Sequence, residues 1–358
     1  MTENRLKSLF HLHVYPRGSK FFTLHSSLFT FCSFLILTGC EYKDLCYDHN
    51  HWGTVRVVFD WQMSPEALTK SAEAEPAGTG MTVLFYDGDR TPIEPVRYDL
   101  AGRYGGTVRL LPATWQAVGY NYDTETILYR GMESMPTLTA YTRESSIGEG
   151  TMMSRADMPR ATTAEDEPVI LEPDPLWAAA SEPFTVSIPN DQTPTPQNDQ
   201  VITIQPQSRV YEVTVTIRNV PNLQYTGQFG GALTGLAPSV AVASGQLGEG
   251  CATEAFTCQV TDATTLEMHV RIFGHCPHQG DGVTNRHLLT IYAILADGTK
   301  WYYTQDVSGQ MHKEGQGGVN NQIHIELDGL PVPKPIVNGS GCQPTVDGWQ
   351  GEEIEVTM

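Results

Sequence analysis

Cysteine and histidine carry the chemistry that stands out along this chain. Cys46, Asp48, His49 and His51 fall together in CYDHNHW, and His275, Cys276 and His278 fall together in GHCPHQG. Thiolates, imidazoles and carboxylates this close together can hold a transition metal. A structural zinc site usually shows paired C-x2-C or H-x3-H spacings, and neither cluster has them, so no metal or other cofactor is expected. Cys251 and Cys258 bracket ATEAF and form the candidate disulfide, provided that the chain is exported. With Cys32 lost in a leader and Cys40 otherwise engaged, Cys46, Cys251, Cys258, Cys276 and Cys342 remain. That number is odd, so at least one thiol stays free.

Export is written at the start of the chain. Residues 1–20 are mildly basic, and the following apolar run, densest in LFTFCSFLIL, is too short and too broken by Ser and Thr to make a good membrane span. It suits the apolar core of a secretory signal. The run ends in Leu37-Thr38-Gly39-Cys40, which resembles the bacterial lipobox. In such signals the Cys sulfur receives a diacylglyceryl group, and cleavage leaves that Cys as an acylated N-terminus. Small residues at 38 and 39 let a peptidase reach the backbone, and several acyl chains anchor stably where one alone is marginal. Residues 1–39 are therefore expected to be a lipoprotein signal peptide, and Cys40 the lipid-bearing first residue.

The bulk numbers narrow the function. The formal net charge of -19 over 358 residues repels nucleic-acid phosphates, so nucleic acid is excluded as a partner. A G-x-S-x-G elbow, an H-E-x-x-H helix, a Gly-rich phosphate loop and an EF-hand loop are all absent from the sequence. A non-enzymatic role is the expectation.

The elements that would position any site are strands. TVRVVFDWQ (54–62), MTVLFYD (81–87), GGTVRLLP (105–112), TWQAVGYNYD (114–123), TILYRG (126–131) and TLTAYTR (137–143) are apolar or alternating runs separated by turn signals. Trp115, Ala117, Gly119 and Asn121 are expected on one face. EPVIL in the Pro/Glu-rich stretch 144–190 reads as an edge strand. SRVYEVTVTIRNV (208–220), PSVAVASG (238–245), TLEMHVRIFG (265–274), RHLLTIYAILADG (286–298), KWYYTQDVS (300–308) and NQIHIELDG (321–329) repeat the pattern. Asp297-Gly298 between two apolar runs marks a hairpin. SPEALTKSAEA (64–74) is the best helical segment, with Ser64 and Pro65 as start signals. The expected fold is all-β, with two tandem β-sandwich domains at 40–190 and 191–332 and a tail at 333–358.

Several segments together carry a resemblance: CEYKDLCYDHNHWGTVRVVFDW, GMTVLFYDGD, YDLAGRYGGTVRLLPATWQAVGYNYDTETILYRG, GALTGLAPSVAVASG and VDGWQGEEIEVTM. Their order is similar to a family of Bacteroidales lipoproteins, partly described as a domain of unknown function and related to the anchor and minor-subunit proteins of type V fimbriae. The resemblance implies transthyretin-like sandwiches on a lipid-anchored, surface-exposed outer-membrane chain. It implies a role as fimbrial anchor or accessory subunit in adhesion, with fimbrial subunits joined by β-strand exchange and a host or bacterial surface ligand as partners. Shaft subunits of this group are trimmed after an Arg. Arg143, Arg155 and Arg160 are present, but no first-strand cleavage site stands out, which favours an anchor or accessory. The tail EEIEVTM alternates Ile354, Val356 and Met358 against polar residues, and could pair in trans as a donor strand or complete its own domain. A glycan-binding outer-membrane lipoprotein is the alternative reading.

Overall fold

The computed structural model describes residues 52–61, 79–88, 94–144, 168–187, 200–276, 286–313 and 321–335. Leu37, Thr38, Gly39, Cys40, Cys46, the helix expected at 64–74 and the tail residues Ile354, Val356 and Met358 lie outside the described residues.

The extended segments of the first half are β1 (Gly53–Phe59), β2 (Met81–Asp87), β3 (Val96–Leu100), β4 (Gly105–Leu110), β5 (Ala113–Asn121), β6 (Ile127–Arg130), β7 (Thr139–Thr142), β8 (Val169–Ile170), β9 (Trp177–Ala180), β10 (Phe184–Val186), β11 (Gln200–Ile204) and β12 (Gln207–Ser208). Those of the second half are β13 (Tyr211–Arg218), β14 (Thr226–Leu236), β15 (Ser239–Ala241), β16 (Ala252–Thr257), β17 (Gln259–Asp262), β18 (Thr265–Ile272), β19 (Leu288–Leu295), β20 (Lys300–Asp306) and β21 (Gln322–Asp328). A single helical turn, α1 (Ser308–Met311), follows β20.

In the first sandwich the sheet β11-β1-β4 packs on β12-β9-β5-β2-β3, with β10 beside β5. Val55, Val57 and Phe59 alternate inward from β1 and meet Met81, Val83 and Phe85 of β2 and Trp115 and Ala117 of β5. Gly119 continues that inward face. A Cβ there would stand 2.5 Å from Phe59 Cε1 and 3.4 Å from Ile204 Cδ1, so the Phe59 ring occupies the space that glycine leaves. In the second sandwich β17-β18-β13-β21 packs on β20-β19-β14-β16-β8. Its core takes Val213, Val215 and Ile217 of β13 and Met268 and Val270 of β18 against Phe229, Leu233, Leu289 and Ile291. The β19–β20 hairpin turns at Asp297-Gly298 as its dipeptide predicts. The Gly298 N–H donates to the Leu295 carbonyl at 2.9 Å, and the Asp297 carboxylate accepts from the Thr299 N–H at 2.8 Å.

The halves exchange elements. β11 pairs in parallel with β1, and β12 pairs with β9, so residues 200–208 belong to the first sandwich. The passage between sandwiches therefore falls between β12 and β13, not at the expected 190/191. The reason is local: VITI, behind the polar PNDQTPTPQNDQ, turns Ile202 and Ile204 into the first core. In the other direction, β8 pairs in parallel with β16 of the second sandwich, and β15 pairs with β7 in a small sheet β15-β7-β6. Leu84, Val118 and Tyr120 then gain a second apolar partner, in a cluster that includes Val240, Val242 and Phe273. MTVLFYD reads as a near-continuous apolar run because both of its faces are covered.

The edge at β16 holds a buried acid. Glu254 is fully buried opposite Leu233 of β14 and Ile170 of β8, and neither carboxyl oxygen has a hydrogen-bond partner among the described residues. Burial and then the nearby Glu172 hold its carboxyl well above the usual carboxylate range, with Arg271 opposing. Arg271 is itself committed to Glu172, its Nε 2.8 Å from the Glu172 carboxylate.

Gly119→Val overpacks the first core and should cost about 1–3 kcal/mol in denaturant unfolding. For Glu254, a folded-state pKa above the unfolded one means that the folded chain holds the proton more tightly, so its contribution to stability is present at low pH and is lost as pH rises above about 4.3 toward the raised value. Glu254→Gln removes that loss. Melting curves across the pH range should show the variant gaining on the wild type steadily as pH rises, and a constant difference would refute the assignment.

Candidate functional site

The second sandwich gathers polar chemistry at one end. The antiparallel register of β14 against β16 shifts between Leu233 and Leu236, which marks a bulge. Gly235 sits there with φ +76, and a Cβ on it would stand 2.6 Å from the Arg286 carbonyl oxygen and 2.7 Å from His287 Nδ1, so glycine lets the chain in front of β19 close on the bulge. The bulge turns the Thr234 side chain and carbonyl toward that chain. Thr234 Oγ1 accepts from the Leu288 N–H at 2.9 Å, and the Thr234 carbonyl lies 3.0 Å from His287 Nδ1.

His287 is fully buried. Its backbone N–H donates to Ser308 Oγ at 2.8 Å, and its carbonyl accepts from the Val307 N–H at 2.9 Å, which ties it to the start of α1. Ser308 in turn donates through Oγ to Asp306 at 2.5 Å, and Arg286 Nε pairs with the other Asp306 oxygen at 3.0 Å. Burial would raise the Asp306 carboxyl, but the Ser308 hydrogen bonds and Arg286 outweigh it and hold it below its usual range. His312 follows α1, and its Nε2 lies 3.0 Å from His287 Nε2. His275 leaves β18 and forms a bridge with Leu236 at the bulge. The three rings are mutually close, with centroids 4.7 Å apart for His287 and His312, 5.1 Å for His275 and His312 and 6.0 Å for His275 and His287. Burial pushes His287 down to about 4, helped by His312 and His275 and opposed by the Thr234 carbonyl. It is a neutral imidazole at physiological pH.

The same end carries the disulfide, and here the expected pairing is corrected. Cys251 is bonded to Cys276, with Cα atoms 5.2 Å apart, and Cys258 is a free thiol packed against the second core. Cys251 and Cys258 stand at opposite ends of the six-residue strand β16. At roughly 3.3 Å per residue over seven steps their Cα atoms are about 23 Å apart, far beyond the reach of a bridge. Cys276 reaches Cys251 because its N–H donates to the Gly235 carbonyl at 2.8 Å, which holds the chain leaving β18 against the bulge.

Of the residues grouped in GHCPHQG, where the spacing argues against a metal, His275 lies in the site, Cys276 is consumed by the disulfide, and His278 falls outside the described residues, as do Asp48, His49 and His51. His287 and His312 were not singled out. His287 heads β19 and His312 follows α1, each as a single histidine outside any metal-ligand spacing with His275, so no motif announces them. The one sequence signal is a histidine heading the apolar run LLTIYAIL.

A second feature with binding capacity is the β16 edge. β8 covers only Thr253 and Glu254, and among the described residues no strand pairs with Ala255–Thr257 on that side. Such an edge offers unpaired backbone groups to an incoming strand.

Residues 39–257 match the model of a family described as a domain of unknown function, DUF5119. Over 122 residues the chain is 34% identical to a Bacteroides ovatus protein provisionally named fimbrium anchoring subunit Fim4B. That stretch is 34% of this chain and 32% of that protein, so the match spans about a third of its curated relative. Among solved structures, a Bacteroides ovatus protein provisionally described as an adhesin superposes with a TM-score of 0.54 at 18% identity, over 82% of this chain and 99% of that one. The fimbrial anchor protein Mfa2 of Porphyromonas gingivalis gives 0.46 at 13% identity, over 77% and 90%. The first superposition shows a shared fold of paired β-sandwiches. With its family match covering more than half of its length, the chain belongs to the DUF5119 family.

Proposed function

We propose that this protein is a lipid-anchored outer-membrane subunit that fastens or completes a fimbrium in cell adhesion, exposed at the cell surface. The observation that carries this reading is the 34% identity, over 122 residues, to a protein provisionally named a fimbrium anchoring subunit. The start of the chain supports the attachment. Residues 1–39 act as the signal peptide, Leu37-Thr38-Gly39 present the cleavage site, and Cys40 receives the acyl chains. No helix among the described residues is long and apolar enough to cross a membrane, and each buried acyl CH2 contributes about 0.8 kcal/mol to anchoring. The role is mechanical and assigns the chain no catalytic step.

Subunits join by β-strand pairing in this reading. The stretch of β16 that no strand among the described residues covers can accept one, and the tail at 333–358, with Ile354, Val356 and Met358 on one face, can donate one. Backbone hydrogen bonds would supply the affinity, and the alternate side chains the specificity.

The test is made in cells that bear the fimbrium. Cys40→Ala should leave the chain unacylated by mass spectrometry of its N-terminus, move it out of the outer-membrane fraction and release fimbriae into the medium. Removing 347–358 should abolish copurification of fimbrial subunits while the melting temperature stays unchanged. An acyl-free chain that still holds fimbriae on the membrane would overturn the anchor. Copurified glycan with no fimbrial subunit would favour the glycan-binding alternative instead.

A further inference from the structure

The geometry points to a divalent transition-metal site at the disulfide-tied end of the second sandwich, in which His275, His287 and His312 each give one imidazole nitrogen to Zn2+. One ring nitrogen from each of the three lies within 4.8 Å of the other two. A tetrahedral ion with bonds of about 2.0–2.1 Å holds its ligand nitrogens roughly 3.3 Å apart. His287 Nε2 and His312 Nε2, at 3.0 Å, already stand close to that separation. Two lone pairs cannot face each other at this distance without a cation between them. A proton fills that role in a hydrogen bond, and a metal ion fills it with a slight widening of the pair.

The surroundings set the rings for this task. The Thr234 carbonyl can only accept, so His287 Nδ1 carries the proton and its Nε2 lone pair points at His312. His275 Nδ1 lies 3.3 Å from the Cys276 carbonyl, which favours the same tautomer. An Nδ1–H donated to a backbone carbonyl is the usual outer-shell partner of a metal-bound histidine. The backbone is equally well fixed. His275 is next to the disulfide and bridged to Leu236, His287 is held by Ser308 and Val307, and His312 donates its backbone N–H to the Ser308 carbonyl at 3.0 Å. Three imidazoles with no carboxylate among them select zinc, copper or nickel over calcium or magnesium. Three ligands leave a fourth tetrahedral position for water or for a donor from a neighbouring subunit. The bound ion would clamp the exit of β18, the entry to β19 and the end of α1 together. This inference does not depend on the fimbrial reading.

Zn2+ is titrated into the full chain, stripped with chelator, by calorimetry, with Co2+ as the spectroscopic substitute. One tight equivalent is expected, with a raised melting temperature and the visible absorption of tetrahedral Co2+. His312→Ala should weaken binding roughly tenfold or more. His312→Gln, which keeps a hydrogen-bonding side chain, guards against a folding defect and should lose the metal equally while melting like the metal-free wild type. The chain has 11 histidines, so the comparison with these variants and with His275→Ala is decisive. Zn2+ held equally well by all three variants, or no tight equivalent in the wild type, would reduce the cluster to a hydrogen-bonded packing motif and overturn the proposal.

Discussion

The apolar cluster shared by the two sandwiches is the contact on which the rest of the structure depends. Leu84, Val118 and Tyr120 project from the outer face of β2 and β5, and they are buried together with Val210, Ala237, Val240, Val242 and Phe273 of the second half. Each large side chain so buried is worth about 1.5–3 kcal/mol against exposure. Ile127, Leu138, Ala140 and Leu176 of the first half share the cluster, and without the second-half side chains part of this apolar layer would be open to water, the kind of surface that soluble chains avoid. The exchanged strands reinforce it. β8 closes part of an edge in the second sandwich, β15 extends a sheet of the first half, and β11 brings the chain back to lie beside β1 before it crosses.

At the far end of the second sandwich one irregularity organises the polar groups. The bulge at Thr234 and Gly235 presents two carbonyls outward from the ladder. One receives the His287 ring and the other the Cys276 N–H. The disulfide and the histidine cluster are therefore two consequences of a single backbone feature. Glycine is required at 235 because its left-handed φ and the close approach of Arg286 and His287 both exclude a side chain.

Much of the fold was legible because burial on one face leaves a period of two. β13, β18 and β21 alternate cleanly and were expected within a few residues of their observed ends. β14 was missed because TGQFGGALTGL is rich in glycine, and its packing relies on neighbours filling the space: Tyr292 lies over Gly230 and Phe256 over Gly231. β16 is hidden because its flanking cysteines in CATEAFTC read as a disulfide pair, which would fold the segment between them back on itself, whereas those residues run straight. β11 was hidden by the polar stretch before it. The site was less legible than the fold. Only His275 had a suggestive neighbourhood, and its neighbour Cys276 proved to be engaged in a disulfide with a residue on another strand. Three-dimensional convergence of single histidines leaves no trace in spacing.

The shared cluster makes the two sandwiches one cooperative body rather than beads on a string. Native-state amide hydrogen exchange of the full chain under increasing denaturant tests this most directly. The amides of β2 and β5 should merge with those of β13 and β18 into one common opening free energy, since losing the shared cluster exposes both halves together. If instead one sandwich opened at a distinctly lower free energy while the other stayed fully protected, the two sandwiches would be independent bodies and the shared cluster would not couple them.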